Sequence, residues 1–127
     1  MINNFLIISC IGQDDRLGLQ INKDFFIHNF KKKNKNNRNL VSIIFDFLNK
    51  HNVQLDANFS VIVNQGPGSF SGIRVALAVA KGLEISKKVK LFGYKNSDLS
   101  RFDRENIQKL FSKKLFEKKL IKPIYLS

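Results

Sequence analysis

The residues whose types and spacing invite chemistry are gathered in Gly66-Pro67-Gly68-Ser69-Phe70-Ser71-Gly72, with Arg74 just beyond. Glycines accept positive φ and let a backbone approach another group closely, while proline stiffens the turn. The run follows a short apolar stretch and opens a helical pattern. Free N–H groups at a helix start, together with the positive end of its dipole, favour an anion, and Ser69 and Ser71 can cap that helix. Two readings stay open: a phosphate site, or a structural turn that sets the strand–helix angle. The turn is preferred, because the run lacks the Gly-Lys-Ser/Thr ending of a Walker loop and does not match the dinucleotide fingerprint.

Other reactive side chains are sparse. Cys10 is the single cysteine and lies in an apolar run, which predicts a buried thiol and excludes an intramolecular disulfide. Neither His28 nor His51 bears a local relation to it of the kind a nucleophile needs from its base. A nuclease of the ribonuclease-H type needs clustered carboxylates for two metal ions, on the first strand and at the end of the fourth. Here the first strand carries Ser9 and Cys10, the fourth ends at Asn64, and Asp14, Asp15 and Asp24 fall in expected turns. No metal-ligand spacing and no local Ser/His/Asp set is present, so neither a metal site nor a catalytic residue is expected.

The elements that must position the glycine-rich run follow from periodicity. Phe5 to Ile11 is a continuous apolar stretch and predicts a buried strand. Arg16 to Ile21 and Asp24 to Phe30 predict two more, joined by tight turns into an antiparallel meander. Lys31 to Asn39 is polar and basic and is expected as an exposed loop, with a specific RNA arm as the lesser reading. Helical spacing covers Leu40 to His51, Ile73 to Ile85, and about Asp103 to Lys119; strands are expected at Phe59 to Val63 and Val89 to Gly93. The order βββαβαβ plus a C-terminal helix predicts an α/β fold, a mixed five-stranded sheet with helices packed on it, as in ribonuclease-H-like and actin-like folds.

Two of these helices are more apolar than one sheet face requires. From Ile73 to Ile85 only Arg74, Lys81 and Glu84 are charged, and Leu40 to His51 shows the same excess. A helix on one face of a sheet needs a single apolar stripe. The surplus predicts an interface with another chain, formed by Leu40, Ile44, Phe47, Ile73, Ala76, Leu77, Ala80 and Leu83. The competing reading is that the two helices bury each other or are covered by the C-terminal segment.

Composition sets the frame. The 127 residues fit one domain, and 43% hydrophobic residues with 12 Phe supply one core. The net charge of +12 attracts polyanions or an acidic partner, although an AT-rich genome favours Lys, Asn, Ile and Phe by codon bias alone. On the C-terminal helix, Lys113, Lys114, Lys118 and Lys119 could touch nucleic-acid phosphates, a solvated helix face being the blander role. No apolar run approaches the roughly 18–20 residues of a membrane span, and the start lacks the basic region of a signal peptide. A cytoplasmic protein is expected.

Val61-Ile62-Val63-Asn64-Gln65 leading into the glycine-rich run, and Ala78-Val79-Ala80-Lys81-Gly82-Leu83 after it, resemble the signature of the TsaB (YeaZ) family, a Gly-Pro-Gly-Ser-Phe-Thr-Gly-Leu/Val-Arg loop followed by an Ala-Lys-Gly-Leu helix. Ser71 stands where the family usually has Thr. Lys122-Pro123-Ile124-Tyr125-Leu126 is similar to the family's closing Pro-x-Tyr-Leu segment. The family's first strand usually ends Asp-Thr-Ser, where this chain has Ser9, Cys10 and Ile11. The resemblance implies an actin-like (ASKHA) N-terminal lobe over residues 1–95, with 96–127 as a short helical extension in place of the family's sizeable second lobe. It implies a non-catalytic scaffold subunit that binds a TsaD-like catalytic subunit, or itself in a homodimer, through the two apolar helices. With a TsaE-like ATPase the assembly makes threonylcarbamoyladenosine in tRNA. No cofactor is expected on this chain alone, though ATP or ADP could sit at the complex interface. The alternatives are a small basic RNA-binding module without an obligate partner, and a divergent nucleotide-binding hydrolase.

Overall fold

The computed structural model describes residues 4–11, 14–31, 39–68, 70–113 and 124. Five strands form one sheet: β1 (Phe5–Ser9), β2 (Asp14–Ile21), β3 (Asp24–Lys31), β4 (Ser60–Asn64) and β5 (Lys90–Tyr94), in the order β3-β2-β1-β4-β5. The first three pair antiparallel, and β1–β4 and β4–β5 pair parallel. The expected mixed five-stranded α/β sheet is therefore present.

Alternation explains why β1 and β4 read as unbroken apolar runs: both faces of the sheet are sealed. Leu6, Ile8, Val61 and Val63 point to one face, where they pack with α1 (Leu40–Lys50) and α2 (Phe70–Lys87). Phe5, Ile7 and Ile62 point to the other, where α3 (Arg104–Ser112) lays Ile107 and Leu110. Gly18 of β2 lies under this second layer. A Cβ there would meet Ile7 Cγ2 at 2.7 Å and Phe25 Cζ at 3.0 Å.

Local chemistry sets the element ends. The β2–β3 turn places Asn22 at φ 55°, a left-handed conformation that asparagine tolerates, and Asn22 N donates to Asn4 Oδ1 at 2.8 Å. Asn39 caps α1 by accepting from Ser42 N at 2.8 Å. Asp103 caps α3 by accepting from Asn106 N at 2.9 Å and Asn106 Nδ2 at 2.8 Å. These bonds, the backbone one foremost, hold its carboxyl below the usual carboxylate range.

Three expectations need correction. Asp14 and Asp15 are not a turn: they open β2, because its ladder with β3 runs through eight pairs, from Asp14↔Lys31 to Ile21↔Asp24. The second helix begins at Phe70 instead of Ile73 and extends to Lys87, so Phe70, Ser71 and Gly72 are helical. The third ends at Ser112 with Lys113 as its C-cap, and Lys114, Lys118 and Lys119 lie outside the described residues.

Candidate functional site

The parallel strands β1, β4 and β5 end together, and beyond their carboxyl ends lies the crevice that α/β sheets use for ligands. The side chains there form a buried, neutral, hydrogen-bonded knot. Asn64 stands at its centre, 1% exposed. Its Nδ2 donates to Ser9 Oγ at 3.1 Å and to Asn96 Oδ1 at 3.1 Å, while its Oδ1 accepts from Gly66 N at 2.9 Å. One carboxamide thus joins β1, the short 3-10 turn Asn96–Asp98 and the glycine-rich connector. The places where a two-metal nuclease would carry facing carboxylates hold a serine and an amide bonded to each other. Ser9 has an amide donor as this partner, and an amide cannot act as the base that would activate its hydroxyl.

Tyr94 completes the knot. Its hydroxyl is buried next to Ser9 and Asn64, whose polar side chains offset part of the cost of burying it. Burial pushes the phenol far above its ordinary range, against a smaller opposite influence of Ser9 and Asn64. It is a neutral, water-excluded hydroxyl. Cys10, next along, is buried as expected.

The connector itself is clasped by protein. Gly66 has φ 98°, and a Cβ on it would meet Ile124 O and Ile73 Cδ1, each at 2.6 Å. The Gly66–Pro67 peptide is cis. Gln65 N donates to Tyr94 O at 2.8 Å, Asn96 N to Gly66 O at 2.8 Å, and Ile124 N to Gln65 O at 2.7 Å. Gly68 lies against Ile11, whose Cβ and carbonyl would stand 2.6 Å from an added Cβ. Of the two readings of the run, the structural turn accounts for Gly66 and Gly68: their missing side chains make room for the chain's own backbone. Ser69 and the Phe70 side chain lie outside the described residues. Ser71 and Arg74 are exposed in the first turns of α2 and Gly72 is buried there. Asn96, Tyr94 and Ile124 were not singled out in the sequence. The Lys122-Pro123-Ile124 segment was the signal available, but its meeting with Gln65 and Gly66 depends on long-range folding.

The helix face requires a further correction. Leu40, Ile44, Phe47, Ile73, Ala76, Leu77, Ala80 and Leu83 are all buried, between 0% and 7% exposed, in the core between the sheet and the two helices. They form the inward stripe of each helix, and of them only Leu83 also borders the groove between the helices. The surplus apolar surface is on the outer side. Val41, Val75 and Ile85 are 43%, 51% and 71% exposed. Between the helices runs a groove of about 410 Å³, lined mainly by Val41, Phe45, Ala78, Val79 and Gly82.

Among the described residues no group of His, Cys, Asp or Glu could hold a metal ion, and no helix is long and apolar enough to cross a membrane. The two histidines instead stack on aromatic rings between β3 and α1: His51 on Phe26 at 3.9 Å, and His28 on Phe47 at 5.7 Å between centroids. Lys113 is exposed at the end of α3.

A family model described as TsaD, tRNA N6-adenosine threonylcarbamoyltransferase, matches residues 31–97, just over half of the chain. The tRNA threonylcarbamoyladenosine biosynthesis protein TsaB of Buchnera aphidicola subsp. Baizongia pistaciae (strain Bp) is 40% identical over 60 residues, covering 46% of this chain and 27% of the relative. The protein of the same name from Buchnera aphidicola subsp. Acyrthosiphon pisum (strain APS) is 28% identical over 88 residues, 68% of this chain and 40% of the relative. Among solved structures, YeaZ from Pseudomonas aeruginosa superimposes with a TM-score of 0.65 at 19% identity, over 87% of this chain and 49% of that one. A crystal structure of an uncharacterized protein with similarity to peptidase YEAZ, from the same organism, gives a TM-score of 0.66 at 19% identity, over 87% and 48%. At that identity the superpositions show the fold, the actin-like lobe. The chain spans less than half the length of each of these relatives.

Proposed function

The chain belongs to the TsaD-type family, on its TsaB (YeaZ) branch, and from that premise we propose that it acts in tRNA threonylcarbamoyladenosine formation as a non-catalytic subunit. It docks a TsaD-like catalytic subunit through the outer face of α1 and α2. The observation that carries this reading is the apolar surface left on helices whose inner stripes are already satisfied: Val75 and Ile85 stand half or more exposed on α2, and Val41 is exposed on α1. Water-exposed patches of this kind mark interaction sites.

The neutral Ser9–Asn64 pair and the clasped connector support a scaffold in place of a catalyst. On this reading transfer chemistry, a TsaE-like ATPase and any ATP or ADP belong to the assembly. Lys113 is the described member of the lysines offered for tRNA contact. The test is light scattering after size exclusion, on this chain mixed with the TsaD-like subunit of the same organism. Wild type is expected to form a heterodimer. Val75→Asp with Ile85→Asp, both at exposed positions, should remove it while leaving the melting temperature unchanged. A complex indifferent to both substitutions would exclude this face. The RNA-binding alternative rests on the net charge of +12 and predicts a monomer whose RNA affinity falls steeply with salt.

A further inference from the structure

The amino end of the parallel strands, opposite the knot, is strongly cationic. Both α1 and α2 run back against those strands, so Lys50 and Lys87 in their last turns reach the end where β4 and β5 begin. Lys88 and Val89 join α2 to β5. Lys90 opens β5 opposite Ser60, its N–H donating to Phe59 O at 2.9 Å. All four lysines are exposed. The acids nearby are Asp24, Asp56 and, one turn back on α2, Glu84; among the described residues no ion pair ties these lysines to them.

Helix dipoles account for part of this charge. A cation in the last turn offsets the negative end of a helix, which suffices for Lys50 and Lys87. Lys88 and Lys90 lie beyond the helix. Lys88 is moreover held at φ 61°, in the left-handed region. The other non-glycine residues with positive φ among those described are Asn22 and Asn52, the residue type that tolerates it. Glycine or asparagine is the usual choice just past a helix end. The fold would be more stable with either, and no hydrogen bond, ion pair or ring contact among the described residues offsets the strain of a lysine there. Its reason lies outside the chain.

The surrounding surface selects the partner. Asn49, Asn52, Gln54 and Asn58 are exposed on the connection that follows α1 to this end. Amides and lysines are the side chains that bond phosphate and sugar oxygens. A protein interface instead has an apolar, aromatic-rich core from which lysine is depleted. The large apolar side chains that are exposed lie elsewhere: Val41, Val75 and Ile85 on the docking face and Ile27 in the middle of β3.

Taking the class of polyanion from the tRNA reading above, we propose that this end of the molecule holds the ribose-phosphate backbone of RNA, with Lys88 and Lys90 as the central contacts and Lys50 and Lys87 flanking them. The test titrates the full chain into a labelled, unmodified tRNA transcript and follows anisotropy between about 0.05 and 0.3 M salt. Lys88→Asn with Lys90→Gln should weaken binding about fivefold or more and lower the slope of log affinity against log salt by about 1–2. The same pair should melt no lower than wild type, because asparagine relieves the left-handed strain. Lys95→Gln with Arg101→Gln removes two cations from the segment after β5 and should leave affinity within about twofold, a small change for contacts outside the site. An equal loss in that control, or unchanged binding by the first pair, overturns the site. Polyglutamate that competes as well as RNA overturns the ribose-phosphate partner in favour of an acidic protein. The heterodimer with the TsaD-like subunit should survive Lys88→Asn with Lys90→Gln; its loss would make these lysines part of the docking surface and overturn their assignment to RNA. If the heterodimer forms while RNA binding ignores the pair, this inference alone falls. If neither RNA nor the TsaD-like subunit binds, both readings fall.

Discussion

At the scale of single residues, this chain places neutral hydrogen bonds where related architectures place charge. Asn64 uses both ends of its amide to fix three segments. None of this is legible in the sequence beyond the bare fact of Ser9 and Asn64 where acids would be needed. Their contact is set by the parallel register Ile8↔Val63, which only the folded sheet supplies. Tyr94 escaped notice for the same reason, and Ile124 stood out only as part of the closing segment, not for its contact with Gln65 and Gly66. The glycines were legible as close-approach positions, and at Gly66 and Gly68 what approaches is the chain's own backbone. Asp103 carries a pH prediction. The bond from Asn106 N holds its folded-state carboxyl below the ordinary range, so the unfolded chain takes up the proton first. The contribution to stability is full above the ordinary carboxylate range, and it is lost as pH falls through the lower folded value. Asp103→Asn keeps a capping oxygen and removes this contribution. Urea unfolding below about pH 5 should therefore show a shallower loss of stability in the variant than in wild type; identical slopes would refute the assignment.

At the scale of elements, type and order follow from periodicity, while ends and faces do not. The meander, both helices on the first face and the α3 segment match the hydrophobic pattern because each buries the stripe it displays. The start of α2 was misplaced by the glycines: Gly72 is buried inside the helix, and packing outweighs its poor propensity. The docking residues were chosen from the richest stripe of each helix, and the richest stripe is the one a core takes first. The outward residues, Val75 and Ile85, differ from it only by their angular position. The connector between β4 and α2 yields the prediction proper to this level. Gly66→Ala must hold a left-handed φ and push against Ile124 O and Ile73. It should destabilise the chain by about 2 kcal/mol or more, read from the urea midpoint. A variant as stable as wild type would show that the clasp is not tight.

At the scale of the whole molecule, one sheet divides two cores, and the segment after β5 is not an appendage to it: Ile107 and Leu110 are fully buried in the second core. The sequence announced one domain of mixed α/β type, and its unbroken apolar Phe5-Leu6-Ile7-Ile8 already requires cover on both faces. The strand order was beyond sequence reasoning, since it depends on which edge of β1 the returning chain chooses. That order has a consequence for how the protein breathes. β1 is bonded along both edges and sealed on both faces, whereas β3 and β5 each have a neighbour on one edge among the described residues. In deuterated water the amides of β1 and β4 should be the last to exchange, waiting for global unfolding, and those of β3 should exchange far sooner through local opening. Peptide-resolved mass spectrometry would read this ranking directly, and a β1 that exchanges before β3 would contradict the sheet. The same gradient means that thermal motion loosens this protein from its rims inward, leaving the strand that carries Ser9 as the last ordered part of the chain.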